Sequence, residues 1–364
     1  MSTQKKAKRL YGFEPDYAVS PAKTLLETLE TLKMTQKELA IRTGLTEQTI
    51  VRILKSEQPI TFETANKLEM VTNVPARLWN TMEMNYRQQL SKLKQAKTLE
   101  HGIDWLKEVP VKELMMHGYI SKESSGADLV HETLKFYGVS SVDSWNAIWN
   151  EPKVAARRSD CFDTQPGPAS AWIRLGEVQA QGITTSSYRK EKFKDALLHI
   201  RELTTRSPSV FIDEMRTLCS DSGVALSLVK EVKEVPWNGA SKWLSPDKAM
   251  ILLSLRGKGE DLFWSSFFHE AYHILHGEKQ RLYIAEKNST DTEEQKADHF
   301  AAEILIPARF NEHIASCTSK QEIIKLAQAL IICPGIVADR YRHLTQRWTY
   351  FTDLTQTFDW TDNA

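Results

Sequence analysis

Three observations predict a mainly α-helical chain with one α+β segment. Residues 21–97 hold four or five amphipathic segments of ordinary helix length, with strong breakers only at Gly44, Pro59 and Pro75. Residues 98–205 keep the helical pattern in IDWLKEVPVKELMMHGYI, ADLVHETLKFYGV and FKDALLHIRELT. Strand signals begin only after Val210, and apolar helices then resume.

Taken in order, residues 1–20 form a basic tail and 21–97 an all-α domain. Residues 98–205 follow as a helical linker or middle region, crossed at 157–170 by the polar, Pro- and Gly-bearing stretch RRSDCFDTQPGPAS, which reads as a surface loop. Residues 206–335 make the α+β domain. Its strands are VALSLV at 224–229 and AMILLSL at 249–255; its helices are LFWSSFFHEAYHILHG at 262–277, TEEQKADHFAAEILIP at 292–307 and KQEIIKLAQALII at 320–332. Residues 336–364 remain as a C-terminal extension.

The 364 residues carry 47 Lys and Arg against 47 Asp and Glu, and only four cysteines, never as CxxC. A cystine scaffold and a zinc ribbon are thereby excluded, and a reducing, cytoplasmic setting is expected. No stretch nears the ~18 apolar residues of a membrane span, and the N-terminus has no apolar core of an export signal. The zero net charge hides an asymmetry: residues 1–97 hold 16 basic and 10 acidic side chains, an excess of +6 that leaves −6 for the rest. A basic module on an acidic body points toward DNA for the first part.

TQKELAIRTGLTEQTIVRILKSEQPIT, residues 35–61, has the shape of a helix-turn-helix. Thr35 and Thr46 cap two helices, Ala40 is small where they cross, Gly44 makes the turn, and Ile50, Ile53 and Leu54 face the core. The second helix then presents Gln48, Thr49 and Arg52 to base edges, with Lys55 near its end: Gln48 to adenine, Thr49 to a thymine methyl, Arg52 to guanine or phosphate. Gln36 and Lys37 are placed for phosphate contacts. One such module binds weakly, so a homodimer on a two-fold double-stranded DNA operator is expected. Leu78, Trp79, Met82 and Tyr86 continue the core as an apolar stripe, and its extension to Leu90 and Leu93 proposes a dimerisation or docking helix.

His269-Glu270-Ala271-Tyr272-His273 is an HExxH sequence on a predicted helix. Positions i and i+4 share a helix face, so both imidazoles reach one Zn2+ ion with Glu270 beside it as general base. Zinc needs a third protein ligand. Glu294 is assigned to that role and Asp298, one turn on, to holding a ligating His ring by its other N–H; the reverse assignment stays open. The strand at 249–255 precedes this helix and is expected to line up an extended substrate by backbone pairing. His276, His299 and Tyr272 are nearby candidates for a supporting role.

Together the two motifs resemble a known architecture. TQKELAIRTGLTEQTIVRIL, PITFETANKLE and VPARLWNTMEMNY resemble an XRE-type, HigA-like domain; SKWLSPDKAMILLSLR, FWSSFFHEAYHILHG and EEQKADHFAAEILIP resemble the ImmA/IrrE metallo-endopeptidases. The resemblance implies a zincin-like fold, zinc on His269, His273 and Glu294, catalysis by Glu270, and cleavage of a helix-turn-helix repressor in stress, phage or toxin-antitoxin responses. Tyr272 stands where a small Gly is usual, and Ser56 where a Gly commonly follows the recognition helix. The reading is a DNA-binding regulator with a zinc endopeptidase that cuts a repressor or its own chain, near Lys97 or at 157–170. The other reading is a non-enzymatic antitoxin or sensor that binds DNA and a toxin partner.

Overall fold

A computed structural model describes residues 18–149, 166–279, 281–284 and 292–360. The chain divides into two compact units, 1–103 and 104–364. The basic tail at 1–17 and residues 157–165 of the expected loop lie outside the described residues.

The first unit is five helices: α1 (Pro21–Leu32), α2 (Gln36–Thr43), α3 (Glu47–Leu54), α4 (Phe62–Thr72) and α5 (Ala76–Glu100). Hydroxyl caps set four of the starts, the Ser20 hydroxyl accepting from the Ala22 N–H at α1. Thr35 accepts from the Glu38 N–H, Thr46 from that of Thr49 and Thr61 from that of Thr64, each such cap being worth about 1 kcal/mol. Gly44 ends α2 at φ 67°, a conformation glycine adopts without steric cost. Lys33, Ser56 and Asn73 take the same left-handed conformation without being glycine. Leu25, Leu39, Ile50, Ile53, Leu68 and Trp79 form the core. The expected stripe on α5 is only partly core: Trp79 is buried, Met82 and Tyr86 are half-buried, and Leu78 is 46% exposed. Leu78 and Trp79 are adjacent, and a helix turns ~100° per residue, so both cannot face one core. Lys97 lies in the last turn of α5, so the stretch near it is helical rather than an open linker.

The second unit begins with helices α6 (Val111–Met116), α7 (Gly126–Tyr137), α8 (Val142–Trp149), α9 (Pro166–Gly182), α10 (Lys190–Glu202) and α11 (Pro208–Asp221). A mixed four-stranded sheet follows, in the order β1-β3-β2-β4: β1 (Val224–Leu228), β2 (Gly239–Ser245), β3 (Lys248–Leu253) and β4 (Tyr283–Ile284). β3 runs parallel to β1 and antiparallel to β2, and β4 pairs with β2 through Ala240↔Ile284 and Ser241↔Tyr283. α12 (Glu260–His276), α13 (Thr292–Leu305), α14 (Asn311–Ser316), α15 (Lys320–Leu330) and α16 (Pro334–Thr345) complete it.

Strand parity gives the sheet two faces. Val224, Leu226, Ala249, Ile251 and Leu253 join Phe263, Trp264 and Phe267 of α12 in the main core. On the other face Leu252 packs against Gly176 of α9, and Lys242 pairs with Glu177 at 2.6 Å. Phe193, Leu197 and Ile200 of α10, and Phe351 and Phe358 after α16, belong to the same core as α12. The segments on either side of 206–335 are therefore built into the body that carries the HExxH helix. Residues 356–358 close on the start of that helix: Glu260 N–H donates to Gln356 O at 2.9 Å, and Phe358 N–H to Lys258 O at 2.7 Å. Among the described residues no single helix is long and apolar enough to cross a membrane.

Candidate metal centre and DNA-facing helices

α12 carries His269, Glu270 and His273 on the side turned to β2 and α13. α13 approaches closely because Ala297 and Ala301, both buried, occupy its inner face. Four atoms then converge. His269 Nε2 lies 3.2 Å from His273 Nε2 and 2.9 Å from Glu294 Oε2, and His273 Nε2 lies 3.3 Å from Glu294 Oε1. All three side chains are buried, and their ligand atoms lie within 4.8 Å of one another.

Asp298, one turn after Glu294, accepts from His269 Nδ1 at 2.8 Å while its carboxylate is 69% exposed. That hydrogen bond fixes the ring with Nε2 pointing into the cluster. The geometry brings Glu294 to the cluster and leaves Asp298 outside it.

The three side chains set one another's charge. Burial opposes charge on His269, but hydrogen bonds to Asp298 and Glu294, with Glu270 nearby, carry its pKa up to about 10. Burial pushes His273 below the ordinary imidazole value, against the pull of Glu294. Burial alone would raise Glu294, yet its hydrogen bonds to the two histidines bring it down to about 2. One imidazolium, one neutral imidazole and one carboxylate thus share the site.

Glu270 is fully buried and lies against the backbone of β2: a Cβ at Gly239 would stand 2.8 Å from its Oε1. Gly239 was not singled out from the sequence, although a glycine inside a strand signals close approach. Tyr283 was missed as well. Its ring stacks on His273 with centroids 4.2 Å apart and planes 13° from parallel. Its strand has two residues and no apolar alternation to announce it.

One expectation is corrected. β3, read as the strand that lines up substrate, is an interior strand whose backbone is engaged by β1 and β2; the side of the sheet nearest Glu270 is β2. Tyr272 meets the His273 ring edge-on at 5.7 Å, stacks on His276 at 4.8 Å and packs against Phe300. His276 and His299 are both exposed, and neither belongs to the convergent donor set.

In the first unit, Gln36, Lys37, Gln48, Arg52 and Lys55 are all exposed. Thr49 is half-buried, with its hydroxyl 2.8 Å from that of Thr46, so its share in a surface is the methyl group rather than a hydrogen bond. α2 and α3 meet at Gly44, as the expected turn requires.

No curated protein and no solved structure matches this chain. Residues 25–79, the stretch from α1 into α5, match the helix-turn-helix family, and the N-terminal unit is thus the helix-turn-helix domain of a DNA-binding regulator.

Proposed function

We propose that this regulator carries a zinc-dependent endopeptidase of the ImmA/IrrE kind in its second unit, and cleaves a protein substrate, either a repressor or its own chain. The observation that carries the reading is the donor geometry. Ligands ~2.0–2.1 Å from a tetrahedral zinc stand ~3.3 Å apart; here the two imidazole Nε2 atoms are 3.2 Å apart, with one Glu294 oxygen 2.9 Å from His269 and the other 3.3 Å from His273. Two imidazoles and a carboxylate match the N/O ligand set of catalytic zinc sites, in which a fourth position stays open.

Bound there, zinc would acidify water to a pKa of about 7 and polarise a carbonyl. Glu270, on the same helix turn and held against Gly239, takes the proton of the attacking water and passes it to the leaving amine. Asp298 keeps the His269 ring oriented. In the first unit, Gln48 and Thr49 face base edges, Arg52 reaches guanine or phosphate with Lys55 near the helix end, Gln36 and Lys37 face phosphates, and a homodimer covers a two-fold operator.

The test is mass spectrometry of zinc-loaded protein mixed with cell extract, compared with Glu270→Gln. Wild type is expected to yield new chain termini that the variant yields at least ~100-fold more slowly. Identical, uncut chains from both would remove the peptidase reading. The burial of Glu270 and all three donors favours one second reading, a non-enzymatic antitoxin or sensor whose zinc-bearing body holds a toxin partner. In that case Glu270→Gln leaves repression and toxin neutralisation unchanged while Arg52→Ala abolishes repression.

A further inference from the structure

The edge of β2 beside the metal cluster is occupied by the chain itself. β2 gives one edge to β3. At Ala240 and Ser241, the residues next to the glycine that touches Glu270, its other edge is taken by β4. Among the described residues β4 pairs with those two positions.

β4 is also fastened over the cluster. The Tyr283 ring lies flat on His273, its hydroxyl accepts from the Glu278 N–H at 2.8 Å, and a Cβ at Gly277 would come within 2.7 Å of the ring. Leu282, Tyr283 and Ile284 are buried, and His273 and Glu294 are each 1% exposed. Glu270 is fully buried and His273 lies under the Tyr283 ring while this holds. A two-residue strand contributes few backbone bonds, so its removal costs far less than unfolding the sheet.

We propose that residues 281–284 are an intramolecular stand-in for a bound peptide. Resting on the peptidase reading for its purpose, the inference is that an extended substrate segment pairs with β2 only by displacing β4, whose departure also uncovers His273. β4 is thus an autoinhibitory strap, and the substrate class is an unfolded segment able to add a strand.

The experiment uses full-length, metal-free protein and needs no cleavage. Diethyl pyrocarbonate modification of His273 is followed by mass spectrometry in wild type, in Tyr283→Ala, and in a chain carrying Ala240→Cys with Ile284→Cys, a directly opposed pair. Tyr283→Ala is expected to speed modification at least about tenfold. Oxidising the cysteine pair is expected to slow it at least about tenfold relative to the same chain reduced. Equal rates in the oxidised and reduced forms overturn the strap even if Tyr283→Ala misfolds, because the comparison is within one folded protein. A catalytic failure of wild type with the accessibility changes intact would instead strike the peptidase reading alone.

Discussion

Arg52 and Lys55 stand in solvent on a scaffold whose core is made by Ile50 and Ile53, whereas His269, His273 and Glu294 are themselves part of a buried interior. In the first unit the residues that fold the domain and the residues that would touch DNA are different residues, on opposite sides of the same helix. In the second they coincide. Exposed charges cost little to hold, and changing one leaves the fold intact. Buried polar groups persist only with partners, so each change at the metal cluster strands another group in a low-dielectric setting. Binding and folding can be separated by mutation in one unit and are entangled in the other.

Asp298 is the place to test that entanglement, since its carboxylate is largely exposed while its hydrogen bond reaches His269. Asp298→Ala is expected to weaken zinc binding by about 10- to 100-fold, read by competition with a chromogenic chelator, with little change in the far-ultraviolet dichroism. Unchanged affinity would detach Asp298 from the site.

The corresponding change in the first unit is the removal of charge at Lys37, Arg52 and Lys55. Each lost phosphate contact should flatten the slope of log affinity against log salt by about 0.9, with the urea midpoint unchanged. An unaltered slope, from titrations at several salt concentrations, would move the DNA face elsewhere.

The smallest effect concerns the left-handed helix ends. Lys33 is exposed at φ 50°, and Lys33→Gly should stabilise the N-terminal unit by about 0.5–1 kcal/mol. Ser56, at φ 61°, bonds its hydroxyl to that of Ser20, and losing that bond offsets the relief of strain, so Ser56→Gly should change stability by less than about 0.5 kcal/mol. Hydrogen exchange across α1–α3 separates the two. Equal gains would show that the Ser20–Ser56 contact contributes nothing.

What could be read from the chain follows the same divide. Thr35, Gly44 and Thr46 announce α2 and α3 because caps and turns are local chemistry. The i, i+4 spacings of His269 with His273 and of Glu294 with Asp298 carried the donor set and its supporting carboxylate for the same reason. β2 was not foreseen: GASKWLS lacks apolar alternation because one of its faces meets Glu177 through Lys242 and the other meets Glu270 through a bare glycine. Placing β3 at the substrate side failed because strand order is long-range information, set by which edge β2 takes. Tyr283 was invisible for both reasons, a two-residue strand whose partners lie on β2 and α12.

The closure of residues 356–358 on the first turn of α12 also fixes an order of events during synthesis. The helix-turn-helix can fold from its own neighbours once residue 103 has cleared the ribosome. The HExxH helix obtains its N-terminal tether only after some 250 further residues, more than about ten seconds later at ~5–20 residues per second. A nascent chain therefore carries a folded helix-turn-helix well before its buried donor set is complete, and a ribosome stalled in that interval would hold the first unit without a finished second one.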